Sequence, residues 1–193
     1  MSLDPIKMVQ QWSEEAIHAE PSTPEAMSVA TVDSKTGRPS LRLVLLRGVD
    51  ESGFVFYTNT KSRKGREIEQ NSHVALALHW KSLGRQLRVE GVASKVPEVE
   101  ADKYFASRHR GSQIGAWASD QSATLKNRQI LLNSIQQVEE KFKDKEVQRP
   151  PFWSGYRVKP QTIEFWEDRA DRLHVRNFYW LDGDLWSKKL LHP

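Results

Sequence analysis

The sequence predicts a mainly β protein, an antiparallel barrel with peripheral helices. Three observations carry this. Short apolar runs separated by hairpin signals fill residues 28–58, helical patterns occupy the start and the middle of the chain, and strands return after Pro150-Pro151. A meander, then helices, then more strands is not the alternating βαβ order of a doubly wound sheet, and the G-x-G-x-x-G fingerprint is absent.

Asp4-Pro5 opens a helix over about 4–20, with a capping residue followed by Pro at the first helical position. Met8, Val9, Trp12, Ala16 and Ala19 give it one apolar face, and Pro21 and Pro24 end it. Strands are expected over 28–32 and 41–46, joined by a turn containing Gly37, and Asp50-Glu51-Ser52-Gly53 turns the chain into a third over 54–58. A short helix starts at Ser62, and longer strands follow over 74–78 and 86–92. Residues 97–145 read as helical. Pro97 starts one helix, which would bury Val99, Tyr104 and Phe105, and a stripe of Leu125, Ile130, Leu131, Ile135, Val138 and Phe142 marks another. Strands are expected over 153–158, 162–167, 172–180 and 185–188, with Asp182-Gly183 as a hairpin turn. There are no repeats and no low-complexity linkers, so residues 1–193 are expected to form a single domain with a C-terminal strand region from 152.

Composition narrows the function. Hydrophobic residues make up 38% of the 193, including seven Trp and seven Phe, which is enough for a substantial core. Charged residues make up 28%, mean hydropathy is −0.65, and no apolar run approaches the ~20 residues that span a bilayer. Met1-Ser2-Leu3-Asp4-Pro5 is not a charged region leading into an apolar one, so no signal peptide is expected. The absence of Cys excludes disulfides and thiolate metal sites and suits the cytoplasm, and the six His lack zinc-ligand spacing. A net charge of +4 permits nucleic-acid binding, but no polybasic run tracks a phosphate backbone. Separate basic clusters suit small anionic ligands better.

Four clusters could carry chemistry. Read as a strand, Arg172-Leu173-His174-Val175-Arg176 puts Arg172, His174 and Arg176 on one face and Leu173 and Val175 on the other. Such a cationic face is either solvated or laid against an anion. Ser62 is a good N-cap, yet Arg63 and Lys64 fall in the first turn, where the helix dipole disfavours cations by ~0.3–1 kcal/mol each. A docked anion would offset that cost, and an exposed basic turn is the alternative. Arg42 and Arg47, five apart on a strand, face opposite ways and should serve different groups. Tyr104 and Arg108, four apart on a helix, would share a face, with Ser112 in the following turn, and together they could clamp a phosphate or merely decorate a helix C-terminus. Gln86, Gln121, Ser122 and Trp166 lie near predicted element ends and are uninformative singly; a Trp is more often core than a ligand wall.

Taken in order, Arg42-Leu43-Val44-Leu45-Leu46, Phe56-Tyr57-Thr58-Asn59, Ser62-Arg63-Lys64-Gly65, Ser112-Gln113-Ile114-Gly115-Ala116-Trp117-Ala118-Ser119, Glu164-Phe165-Trp166 and Arg172-Leu173-His174 closely resemble the pyridoxine/pyridoxamine 5′-phosphate oxidase family from about Asp4 to the C-terminus. The resemblance implies an FMN-binding split β-barrel, a homodimer with FMN at the dimer interface. It implies oxidation of pyridoxine 5′-phosphate and pyridoxamine 5′-phosphate to pyridoxal 5′-phosphate, with O2 as acceptor and H2O2 as product. By that resemblance Arg42, Leu43, Val44, Leu45, Leu46 and Arg47 line FMN, and Tyr57, Thr58, Arg63, Lys64, Gln86, Gln121, Ser122, Trp166 and Arg176 complete its site. Arg47, Tyr104, Arg108 and Ser112 would meet the substrate phosphate, and Arg172, Leu173 and His174 the ring, with Arg172 and His174 catalytic. No metal, membrane or nucleic acid is implied. The chain departs from the family pattern in having Arg47 for the usual Lys, Val175 for the usual Asp, Thr23 where an Asp often precedes the Pro, and Leu190-Leu191-His192-Pro193 at the end. The alternatives are a split-barrel flavin oxidase of another aromatic substrate, such as a phenazine, or a non-catalytic binder of pyridoxal phosphate or nucleic acid.

Overall fold

In the computed structural model, which describes residues 4–193, nine strands form one antiparallel sheet that curls as a split barrel, flanked by five α-helices. The N-terminal reading of Met1-Ser2-Leu3 lies outside the described residues. Helix α1 (Pro5–Ala19) is capped by Asp4, whose carboxylate accepts the backbone N–H groups of Ile6 and Lys7. It buries Pro5, Ile6, Val9, Trp12 and Ala16, whereas Ala19 is exposed. Strands β1 (Ala26–Val32), β2 (Pro39–Leu45), β3 (Gly48–Asp50) and β4 (Gly53–Asn59) form the meander, and α2 (Arg63–Gln70) follows. Next come β5 (His73–Trp80), β6 (Arg85–Lys95), and helices α3 (Glu98–Ser107), α4 (Arg110–Ala118) and α5 (Arg128–Lys141). The chain ends with β7 (Trp153–Glu167), β8 (Val175–Asp182) and β9 (Leu185–Leu191).

The strand order is β2-β1-β5-β6-β7-β4-β3, with β8 added to β7 and β9 to β8. Residues 153–167 form one strand, not the two expected. The expected break lies at Pro160, which cannot donate to a ladder; the register instead shifts at Glu90/Gly91 on β6, and Gly91 faces Pro160. A Cβ at Gly91 would come within 2.3 Å of the Lys159 carbonyl oxygen, so only glycine permits this approach.

The main core lies between α1 and the sheet. Trp12 meets Phe165 edge-on at 4.9 Å, and the buried Trp80 indole donates to the Pro24 carbonyl at 2.8 Å. A smaller core joins Phe105, Ile114, Phe142 and Trp153 beneath the helices. Val99, expected inside, is 79% exposed, and Ile130 and Leu125 on the predicted stripe are also exposed. Three helices fill 97–145 where two were read, because His109 starts α4 anew only two residues after α3 ends.

Two segments depart from the expected geometry with consequences for the site. The strand expected over 172–180 begins only at Val175, because Asp171 and Arg172 adopt left-handed φ values of 56° and 62° in a 3-10 turn over Ala170–Arg172. The alternation argument therefore fails for Arg172. Thr23 has φ 46°, a left-handed conformation that crowds a β-branched side chain and costs about 1–2 kcal/mol. Thr23→Asn should therefore raise stability by about 1 kcal/mol, or roughly 2–4 °C in Tm for a chain of this size. Thermal unfolding of the two forms checks this; an unchanged or lower Tm would show that the turn carries no strain.

Candidate functional site

A cleft of about 630 Å³ lies between β2, β4, the start of β7, and the α3–α4 junction. β2 is an edge strand paired only with β1, so one row of its backbone N–H and C=O groups is left for a ligand or a partner. Leu43, Val44 and Leu45 line the cleft, and Leu43 is 70% exposed. Leu46 is buried in the core instead. Arg42 and Arg47 serve different groups, as their spacing predicted. Arg47 lines the cleft and pairs with Glu25 at 3.4 Å. Arg42 turns away from it to donate to the Val29 carbonyl and to Thr31, Ser40 and Glu67.

Thr58 of β4, Lys64 of α2 and Gln121 line the cleft as one hydrogen-bonded group, and Tyr57 of β4 lines it as well. Ser62 caps α2 by accepting the Gly65 N–H, as expected. Lys64 is only 8% exposed, and its ammonium donates to Gln121 Oε1 at 2.8 Å, Thr58 Oγ1 at 3.1 Å and Ser62 Oγ at 3.4 Å. Every one of these partners is neutral. Burial, with the Arg42 charge adding to it, pushes the Lys64 pKa down to about 8. A buried ammonium with only neutral partners carries a charge that nothing beside it balances. Ser122, held at φ 75°, accepts the backbone N–H of Arg63 at 3.1 Å and so ties the loop to the start of α2.

Tyr104, Arg108, Ser112 and Trp153 line the same cleft. Tyr104 and Arg108 do not share a helix face: α3 ends at Ser107, Arg108 is its extended C-cap, and Ser112 stands inside α4 rather than in a turn. The sharp junction still brings the three together. Tyr57 stacks on Tyr104 at 3.9 Å, and the Arg108 guanidinium lies over the Trp153 ring at 4.8 Å. Arg108 Nη1 is buried without a hydrogen-bond partner, and burial lowers the Arg108 pKa, with Tyr104 opposing and Arg47 adding to the shift.

Six of the other predicted residues lie elsewhere. Gln86 faces Trp166 across β6 and β7, and Trp166 faces Arg176 across β7 and β8, so the three form one row on one face. His174 packs against Trp166 with ring centroids 4.5 Å apart, and its Nδ1 accepts the Arg169 N–H. Arg172 and Leu173 are exposed in the turn before β8. None of these residues lines the cleft. Val175 stands opposite Glu167 in the ladder.

The sequence reading missed two buried carboxylates. Glu67 accepts from Ser40, Thr31 and Arg63, with Arg42 at 3.4 Å; burial opposes its ionisation, but these donors prevail and hold its pKa at about 2. Glu164 accepts both Arg176, at 2.7 and 3.0 Å, and Arg88, at 3.1 Å. The four-residue spacing of Arg63 and Glu67 on a helix was a readable signal. Nothing local marks Glu164, which depends on strand register.

Among the described residues, no helix is long and apolar enough to cross a membrane, and no cluster of potential ligands could hold a metal ion. A family profile described as pyridoxamine 5′-phosphate oxidase matches residues 13–142, and one described as the pyridoxine 5′-phosphate oxidase C-terminal dimerisation region matches 153–193. The chain is 51% identical over 193 residues to the pyridoxine/pyridoxamine 5′-phosphate oxidase of Gluconobacter oxydans, covering all of this chain and 96% of that one. It is 51% identical over 190 residues to the enzyme of that name from Rubrobacter xylanophilus, covering 98% and 87%. Its fold matches the crystal structure of PhzG from Burkholderia lata in complex with tetrahydrophenazine-1-carboxylic acid, with TM-score 0.92, 33% identity, and 98% and 93% of the two chains covered. A pyridoxamine 5′-phosphate oxidase-related, FMN-binding protein from Nostoc punctiforme shares the fold at TM-score 0.78 and 18% identity. With both profiles matched in order and half of its residues shared with these relatives, the chain belongs to the pyridoxine/pyridoxamine 5′-phosphate oxidase family.

Proposed function

We propose that this protein is an FMN-dependent oxidase that converts pyridoxine 5′-phosphate and pyridoxamine 5′-phosphate to pyridoxal 5′-phosphate, working as a homodimer. The carrying observation is that one cleft is lined by two cations without an acidic partner, which we read as two anion receptors. Lys64 is buried among neutral partners, and Arg108 has a buried, unpaired Nη1. A phosphorylated cofactor and a phosphorylated substrate need one each. The donor set fits FMN: Lys64, Thr58 and Gln121 would hold its phosphate, and the free edge of β2 and the ring of Tyr57 offer walls for a flat group.

When bound, FMN would take the hydride from C4′ of the substrate and deliver the electron pair to O2, giving H2O2. The protein supplies position and charge. Arg108, braced on Trp153, would grip the substrate phosphate with the hydroxyls of Tyr104 and Ser112, and Arg47 would add charge. The alcohol substrate then leaves as the aldehyde. The amine leaves as an imine, which water hydrolyses to the aldehyde and ammonia. We assign Arg172 and His174 to steadying the C4′ substituent. Because Gln86, Trp166, His174 and Arg176 stand away from the cleft of their own chain, they would complete the cleft of a second copy. The match of residues 153–193 to a dimerisation region supports this. The relation to PhzG favours one other reading, an anionic aromatic substrate without phosphate whose carboxylate meets Arg108. Oxidation of pyridoxine 5′-phosphate but not of pyridoxine by the yellow protein decides between them.

Two predictions follow from the receptors. Lys64 pairs with an anion only when protonated, and its pKa in the free protein is about 8. FMN affinity should therefore be greatest near pH 7 and fall about tenfold between pH 7.5 and 9.5. Quenching of FMN fluorescence on titration of apoprotein measures this, and Lys64→Ala should bind weakly without that slope; an equal slope in the variant would place the titrating group elsewhere. Arg108→Ala should raise KM for pyridoxine 5′-phosphate about 10- to 100-fold, corresponding to ~1.5–3 kcal/mol, and leave FMN occupancy unchanged. If the variant loses flavin instead, the two receptors are assigned the wrong way round.

A further inference from the structure

We propose that His109 is a further specificity residue of this cleft, donating a neutral hydrogen bond from its imidazole Nε2–H to the substrate phosphate; the inference rests on the phosphate reading of the Arg108 end. His109 follows Arg108 directly and lines the cleft with Arg108 and Ser112. It is also the N-cap of α4, and its Nδ1 accepts the Gly111 N–H at 3.3 Å. That bond fixes the tautomer. A neutral imidazole whose Nδ1 accepts must carry its proton on Nε2, and no described protein group bonds that nitrogen.

The chemistry of the ligand leaves room for such a donor. A phosphate monoester presents three terminal oxygens with several lone pairs each, more than Arg108, Tyr104 and Ser112 fill. Another cation would add repulsion here, because Arg47 already opposes the charge of Arg108. A neutral donor adds a directional bond without that repulsion. The backbone fixes it as well: the His109 carbonyl accepts the Ser112 N–H at 2.8 Å and the Gln113 N–H at 3.1 Å, so the ring and the Ser112 hydroxyl belong to one rigid turn. An unphosphorylated ligand would leave Nε2–H facing solvent in an exposed position, at little cost.

The test is equilibrium binding of pyridoxal 5′-phosphate and of pyridoxal to the FMN-loaded protein, read by the change in flavin absorbance. His109→Asn keeps a cap acceptor but has no donor where Nε2 stood, whereas His109→Gln offers a longer amide donor. His109→Asn should bind pyridoxal 5′-phosphate about five- to tenfold more weakly, bind pyridoxal as wild type does, and keep the wild-type Tm. His109→Gln should recover part of the loss. Wild-type affinity in His109→Asn, or equal weakening toward both ligands, would overturn the inference and leave His109 as a helix cap alone. Arg108→Ala separates the two levels. If it abolishes the preference for the phosphorylated ligand and His109→Asn does not, the phosphate reading stands and only His109 falls. If wild type binds both ligands equally, both fall.

Discussion

The pairing of β7 with β4, β6 and β8 is the constraint on which the rest of the structure depends. One strand of 15 residues carries Trp153 into the cleft at its start and sets Trp166 between Gln86 and Arg176 near its end. At ~3.3 Å per residue the two tryptophans stand about 40 Å apart along the strand. The bulge opposite Pro160 bends this path without interrupting it. The residues proposed for one flavin site thus fall into two groups, one beside the start of β7 and one beside its end. A site made from both groups is most simply built by two copies, and a C2 arrangement would make two such sites at once. Leu41 and Leu43, exposed on the edge strand beside the cleft, are apolar surface of the kind such a contact buries.

Electrostatics divides the cations into two classes. Glu67 holds Arg42 and Arg63, and Glu164 holds Arg88 and Arg176, each carboxylate about 5% exposed. Buried charges of this kind are tolerable only when paired, and these pairs fix side chains behind the ligand surfaces. Lys64 and Arg108 have no such partner and face the cleft. Lys64 and Arg108 thus carry charge that no buried carboxylate balances. This also explains how α2 tolerates two cations in its first turn: Arg63 bends back to Glu67 at 2.8 Å, and Lys64 is held by neutral oxygens.

Much of this was legible in the sequence, for identifiable reasons. The Asp4 and Ser62 caps, the meander, the Asp182-Gly183 hairpin and the opposed roles of Arg42 and Arg47 follow from local chemistry and period. The unusual setting of Lys64 in the first turn of α2, which the helix dipole disfavours, was also visible in the sequence. The failures are equally physical. Arg172 was placed on a strand face because alternation cannot reveal a left-handed turn at non-glycine residues. Tyr104 and Arg108 were grouped on a helix that ends between them, yet the chain reversal at His109 brings them together all the same. Glu164 and the row of Gln86, Trp166 and Arg176 depend on register across three strands, which no local pattern encodes.

The central claim is that each oxidase site takes the cleft of one copy and the β6–β7–β8 row of another. Complementation between two variants tests it most directly. Arg108→Ala damages only the cleft, and His174→Ala only the row. Alone, each homodimer should oxidise pyridoxine 5′-phosphate poorly. Mixed in equal amounts and allowed to exchange subunits, half of the dimers contain one intact site, so activity should recover to about a quarter of wild type. Activity that stays at the mean of the two separate variants would show that one chain carries the whole site, and would contradict the account.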